Sequence, residues 1–222
     1  GIMAKEMADE IRVVINTSNG LQVSETKVDG IRTYCMRIFD NQSDVVKTLL
    51  ADMLNYGAAA QDLLNYNEED LANNQLSIAQ QAYATKTVEC ADRRIKGTNY
   101  YGTNFDLENK ISMNLYFANI TPEMYAIVTF TNHQNEEKTV RIDGSKFIKN
   151  GDYYQINITE AVVADGRCDI TCIVYDTNGK EVANVVDSME SYVNRMGAAY
   201  PNLIAMMKFS DSAYAYLHRD DK

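Results

Sequence analysis

The sequence predicts an α+β fold, a small β-sandwich plus helical hairpins, in which a unit of β-hairpin and helix pair occurs twice. Two apolar runs each end in an Asn-Gly turn. Each turn is followed by two stretches with apolar residues at helical spacing, and the centre of the chain reads as a series of short strands.

The runs are Glu10-Ile11-Arg12-Val13-Val14-Ile15 before Asn19-Gly20, and Asp169-Ile170-Thr171-Cys172-Ile173-Val174 before Asn178-Gly179. Asn-Gly accepts positive φ at both central positions of a tight hairpin turn. The copies stay in step, with Ile11 facing Ile170, Asn19 facing Asn178, Gly20 facing Gly179 and Val23 facing Val182. After a one-residue deletion, Val28, Asp29, Tyr34 and Arg37 match Val186, Asp187, Tyr192 and Arg195. After a shorter connection, Leu50, Met53, Ala60 and Leu64 match Leu203, Met206, Ala213 and Leu217. Three collinear blocks are hard to obtain by chance.

The first predicted helix of each pair carries its stripe on Val28, Ile31, Cys35 and Ile38, and on Val186, Met189, Val193 and Met196. The second carries Val46, Leu49, Leu50, Met53, Gly57, Ala60 and Leu64, against Leu203, Met206, Met207, Ser210, Ala213 and Leu217. The small residues Gly57 and Ser210 admit a close neighbour. Between the copies, residues 71–92 are predicted mostly helical, with Ala79, Ala82, Tyr83, Val88 and Ala91 as apolar positions. Strands are expected at 111–118, 124–131, 138–142, 153–158 and 169–175, separated by Asn- and Gly-rich turns. The expected domains are 1–98, a truncated first copy, and 99–222, a β-sandwich followed by a helical hairpin. Only the second copy carries a whole β module, so residue 1 is expected to fall within a structural unit, with a strand-rich stretch ahead of it.

Composition narrows the function. A formal net charge of −10 repels phosphate backbones and anionic headgroups, so nucleic acid is not an expected partner. No apolar run approaches the roughly 18 residues of a membrane span. Cys168 and Cys172 lie too far apart on one extended segment to pair, and all four cysteines, with Cys35 and Cys90, are expected to be reduced. There is no Gly-x-Ser-x-Gly, phosphate-cradling loop or zinc spacing. His133 is predicted in a polar turn and His218 in a charged tail. No enzyme, cofactor or metal site is expected. Asp176-Thr177-Asn178-Gly179-Lys180-Glu181 alternates oxygen ligands around a glycine but lacks the terminal glutamate of a calcium loop, so it reads as a turn. Glu68-Glu69-Asp70 is expected to sit at the N-terminus of the next helix. The fifteen tyrosines supply the binding candidates. They are Tyr214 and Tyr216, which cannot both face the buried stripe of one helix, then Tyr100 and Tyr101.

Met53-Leu54-Asn55-Tyr56-Gly57-Ala58-Ala59-Ala60-Gln61 with Asn65-Tyr66-Asn67, and Leu107-Glu108-Asn109-Lys110-Ile111-Ser112-Met113-Asn114-Leu115-Tyr116-Phe117, resemble repeat modules of large surface proteins of gut Clostridia such as Ruminococcus. The second helix pair departs from that pattern, with Phe209-Ser210-Asp211-Ser212-Ala213-Tyr214. The resemblance implies a secreted or cell-surface polypeptide of several modules. Some surface proteins of this type resemble B-cell superantigens, which implies host immunoglobulin Fab, bound outside the antigen-combining loops, as the partner. A structural spacer in a surface stalk and a carbohydrate-binding module are the alternatives.

Overall fold

The computed structural model describes residues 2–24, 26–106 and 111–220. Residues 107–110, part of the second resemblance segment, lie outside the described residues. The chain forms two compact units, 1–86 and 87–222.

The first unit contains the strands β1 (Ile11–Val13) and β2 (Lys27–Asp29), then the helices α1 (Ile31–Ile38), α2 (Asp44–Leu63) and α3 (Ile78–Gln81). The second begins with β3 (Ile95–Lys96), β4 (Tyr100–Asp106), β5 (Ser112–Phe117), β6 (Tyr125–Thr131) and β7 (Glu137–Asp143). It continues through β8 (Ile148–Asn150), β9 (Tyr153–Ile158), β10 (Ile170–Tyr175) and β11 (Glu181–Asp187) to α4 (Met189–Met196) and α5 (Pro201–Leu217). The fold is α+β, with three antiparallel sheets. One sheet runs β3-β11-β10-β6-β7 and another β4-β5-β9-β8. Alternate residues of both, among them Leu115, Phe117, Val128, Ile156, Cys172 and Val174, form one shared core, as a period of two requires when one face is buried. The pairing of Ile95–Lys96 with β11 places that stretch in the second unit, ahead of the boundary expected at residue 98.

The duplication holds down to individual bonds. Ile11 pairs with Asp29 and Ile170 with Asp187, the same register in each hairpin. A carboxylate closes each strand–helix junction. Asp29 accepts from the Gly30 N–H at 2.9 Å and from Arg37 Nη2 at 2.9 Å. Asp187 accepts from the Ser188 N–H at 2.9 Å and from Arg195 Nη2 at 2.7 Å. Even an unforeseen turn repeats. Ala4–Glu6 and Val163–Asp165 are short 3-10 turns, with Glu6 accepting from the Met3 N–H and Asp165 from the Val162 N–H. Each turn packs against the long helix of its copy. At that contact the small residue changes sides. A Cβ on Gly57 would fall 2.9 Å from Met7 Sδ and 3.0 Å from the Ala72 Cβ, whereas a Cβ on Gly166, the partner of Met7, would collide with Ser210, the partner of Gly57.

Burial is where the copies part. Ile11 and Ile15 are 47% and 60% exposed, while Ile170 and Val174 are 4% and 0% exposed. Strand β10 has β6 beside it and β11 has β3, but among the described residues the first hairpin is a two-stranded sheet by itself.

Several expectations are corrected. The Asn-Gly turns are not two-residue turns. Only Gly20 (φ 85°) and Gly179 (φ 78°) take positive φ, while Asn19 and Asn178 do not. The residue that opens each loop decides this. Thr17 Oγ1 accepts from the Leu21 N–H, and Asp176 Oδ1 accepts from the N–H groups of Asn178 and Lys180, making a longer loop that ends on a left-handed glycine. The Asp176 segment is therefore a hairpin turn. Val28 and Val186 belong to strands, not to the helices that follow them. Residues 71–92 are not mostly helical: only Ile78–Gln81, capped by Ser77, coils there. The backbone is claimed by buried side chains of α2 instead. Gln61 accepts from the Ala72 N–H at 2.7 Å and donates to the Asp70 carbonyl, and Asp52 accepts from the Thr85 N–H and hydroxyl. Asp70 starts no helix either. Its carboxylate takes Arg32 at 2.5 and 2.7 Å, and that bond holds the Asp70 carboxyl below its ordinary range. Strands β3, β4 and β8 were not legible in outline, because Gly102 and Asn104 interrupt the pattern and the other two are only two and three residues long.

Asp187→Ala takes from the mostly buried Arg195 its enclosed partner and leaves it Asp92 alone, and is expected to cost the second unit about 1.5–3 kcal/mol in a denaturant titration. Asp29→Ala, at an exposed and solvent-screened pair, is expected to leave the midpoint of the first unit nearly unchanged in the same titration. Gln61→Ala strands the buried Ala72 N–H and is expected to cost about 1–3 kcal/mol, with faster amide exchange at Ala72.

Candidate functional site

In the second unit the turn ending at Asp165 continues into Gly166, Arg167 and Cys168, and this stretch runs alongside α5. Between them lies a cleft of about 530 Å³, lined by Ala164, Arg167, Cys168, Ser210, Asp211 and Tyr214. Helical spacing sets Ser210, Asp211 and Tyr214 on one side of α5, with the small Ser210 at the floor. Arg167 crosses the cleft. Its Nε and Nη2 donate to both oxygens of Asp211 at 2.7 and 2.8 Å, and its Nη1 donates to Glu190, which also pairs with Arg93. The fork matches the carboxylate, so the charges are satisfied within the protein and the guanidinium is held more firmly protonated than usual.

Beside the cleft, the exposed Tyr214 ring stacks on His218 at 4.1 Å, and His218 meets His133 edge-on at 6.0 Å. His133 lies in a polar turn as expected, but the ring does not face water. Its ring is largely buried, its Nδ1 lies 2.8 Å from Asp165 Oδ1, and the His133 backbone N–H donates to the same oxygen at 2.7 Å. The long separation of His133 from Asp165 hid this pair from any local pattern. An Asp–His pair alone is not a catalytic unit, since the ring must also reach a nucleophile. Among the described residues, no hydroxyl or thiol bonds to His133. The nearby Cys168 thiol is pushed up to about 11 by burial, with Asp165 and Asp169 adding to the effect, which disfavours the reactive thiolate. Among the described residues, no three metal-ligating groups come together.

The four tyrosines selected from sequence go different ways. Tyr214 is exposed at the cleft, whereas Tyr216, two positions on, is half-buried with the Arg219 guanidinium 4.2 Å from its ring centre. Tyr100 turns inward, edge-on to Phe117 at 5.9 Å, with its hydroxyl on Thr103 and Asp187. Tyr101 is the extra residue of a β-bulge between Tyr100 and Gly102, and the bulge turns its ring outward to stack on Tyr153 at 3.7 Å. The structure therefore brings Tyr214 and Tyr216 to one helix end and Tyr101 to a sheet surface, and leaves Tyr100 in a packing role.

All four cysteines are free thiols. Burial pushes Cys35 to about 11 and Cys172 to about 12. A pKa raised in the folded state keeps the thiolate scarce until pH climbs toward that value. Alkylation by iodoacetamide at pH 8, followed by intact mass, is therefore expected to be slow at Cys35, Cys168 and Cys172 and to quicken on unfolding in urea. No protein-family model matches the chain, and neither a curated protein nor a solved structure matches it.

Proposed function

We propose that this chain is a non-catalytic binding module of a bacterial surface polypeptide built from repeats of the same unit, and that its partner is a host immunoglobulin variable domain held outside the combining loops. The observation that carries the binding reading is the cleft beside α5. Its charges are neutralised by one another, and its rim is an exposed aromatic stack of Tyr214 and His218. A rigid aromatic edge above a polar network that needs no further ligand suits protein recognition better than bond-making chemistry. The immunoglobulin partner rests on the resemblance to surface modules of gut Clostridia. No helix among the described residues is long and apolar enough to cross a membrane, which accords with a module held outside the bilayer.

A spacer role is the second reading, and the duplication favours it, because stacked copies of one unit make an extended stalk. Immobilised human Fab fragments and a glycan panel separate the readings. Fab binding that follows heavy-chain variable family and ignores antigen is the expected result. Tyr214→Ala is expected to weaken it at least about tenfold, as for an interface anchor, while Tyr100→Ala acts through stability alone. Silence on both surfaces leaves the spacer.

A further inference from the structure

The first unit carries an open apolar cleft of about 490 Å³ on its hairpin and helices, lined by Ile2, Ile11, Val13, Ile31, Tyr34 and Met53 among others. The second unit shows what lies over the same place. There Ala161, Ile170 and Met189, the counterparts of Ile2, Ile11 and Ile31, line only a remnant of about 20 Å³, closed by Phe105, Met113 and Ile158. Phe105 reaches Tyr192, the counterpart of Tyr34, at 5.2 Å between ring centres. The Thr103 hydroxyl donates to Asp187 at 2.8 Å and the Tyr100 hydroxyl stands 3.3 Å from the same oxygen, so two hydroxyls from β4 cap the junction carboxylate. Asp29, its counterpart, holds Gly30 and Arg37, and among the described residues no hydroxyl reaches it. Along the edge, β6 pairs with β10 at Thr171↔Thr129 and Cys172↔Val128, while the outer edge of β1 has no strand beside it among the described residues.

We propose that this face of the first unit is the docking surface for a β-sandwich segment of the kind spanning β3 to β9, presented ahead of the hairpin in the same polypeptide. Its β4-like strand would set two hydroxyls on Asp29 and an aromatic ring against Tyr34, and its β6-like strand would add antiparallel to β1. The turn that leads into the hairpin sets the order. In the second unit the sandwich reaches β10 through the turn Val163–Asp165, and the first unit has already formed the matching turn Ala4–Glu6, closed by Glu6 on Met3 as Asp165 closes on Val162. The strands therefore arrive by covalent delivery at Met3, not as a separate molecule.

The inference rests on the duplication and not on the identity of any host partner, so Fab binding neither supports nor weakens it. The test lengthens the full chain by a second copy of its own residues 87–160, joined to Ile2. Hydrogen exchange at Ile11–Val13 and Lys27–Asp29 is expected to slow at least about tenfold relative to the original chain, since ladder amides gain partners. Phe105→Asp in the added copy is expected to abolish that protection, which separates docking from mere tethering. Unchanged exchange at the first hairpin, whether or not the added strands resist protease, overturns the proposal. So does a concentration-dependent dimer of the original chain that Val13→Asp dissolves, because the face would then belong to a second copy.

Discussion

The junction between the last strand and the first helix is fastened in both copies by one carboxylate. Asp29 and Asp187 each accept from the next backbone N–H and from an arginine eight residues on, so strand direction and helix direction are fixed together. An ionised acceptor with a backbone donor and a guanidinium makes charge-assisted bonds, stronger than neutral ones. In the second copy Tyr100 and Thr103 add two hydroxyls, and the group is fully enclosed. A buried carboxylate is tolerable only when its acceptor sites are filled, and those hydroxyls fill them. The clasp thus ties sandwich, hairpin and helix pair into one body in the second unit. In the first unit the same clasp lies half open to water.

The two long helices show how one scaffold tolerates different sequences. Met7 over Gly57 and Gly166 over Ser210 fill the same contact with bulk supplied from opposite sides, which conserves local volume approximately. The surroundings of the two helices then diverge. After α2 the chain folds back across it, pinned by Gln61, Arg32 and Asp70. Along α5 the corresponding groove is open and bridged by Arg167 and Asp211. Replacing the buried Gln61 of one helix by the exposed Tyr214 of the other converts a packing surface into an accessible aromatic edge.

Much of this was legible from residues alone where the signal is local. The hairpins, the helix pairs and five of the sandwich strands follow from periods of two and 3.6. The connector after α2 was not legible, because its small apolar residues fit a helix while its backbone amides are claimed by Gln61 and Asp52 from a different element. The Asp165–His133 pair was hidden for the same reason, since its bond crosses 32 residues. Tyr214 and Tyr216 were rightly separated by helical geometry. Tyr100 and Tyr101 were not, because which of two neighbouring strand residues faces the core is set by the pairing of β4 with β5, and that pairing exists only in the fold.

The order of residues by itself determined that one unit is written twice, with matched strands, turn and helices, since those depend on neighbours within a few positions. Only the tertiary structure decided what the unit buries. Ile11 and Ile170 occupy the same register in the same hairpin, yet one meets solvent and the other a sandwich core. Local pattern marks which face of a strand is apolar. Whether that face is covered depends on strands far away in the chain, and hydrophobic burial is a property of the assembled layers rather than of the segment.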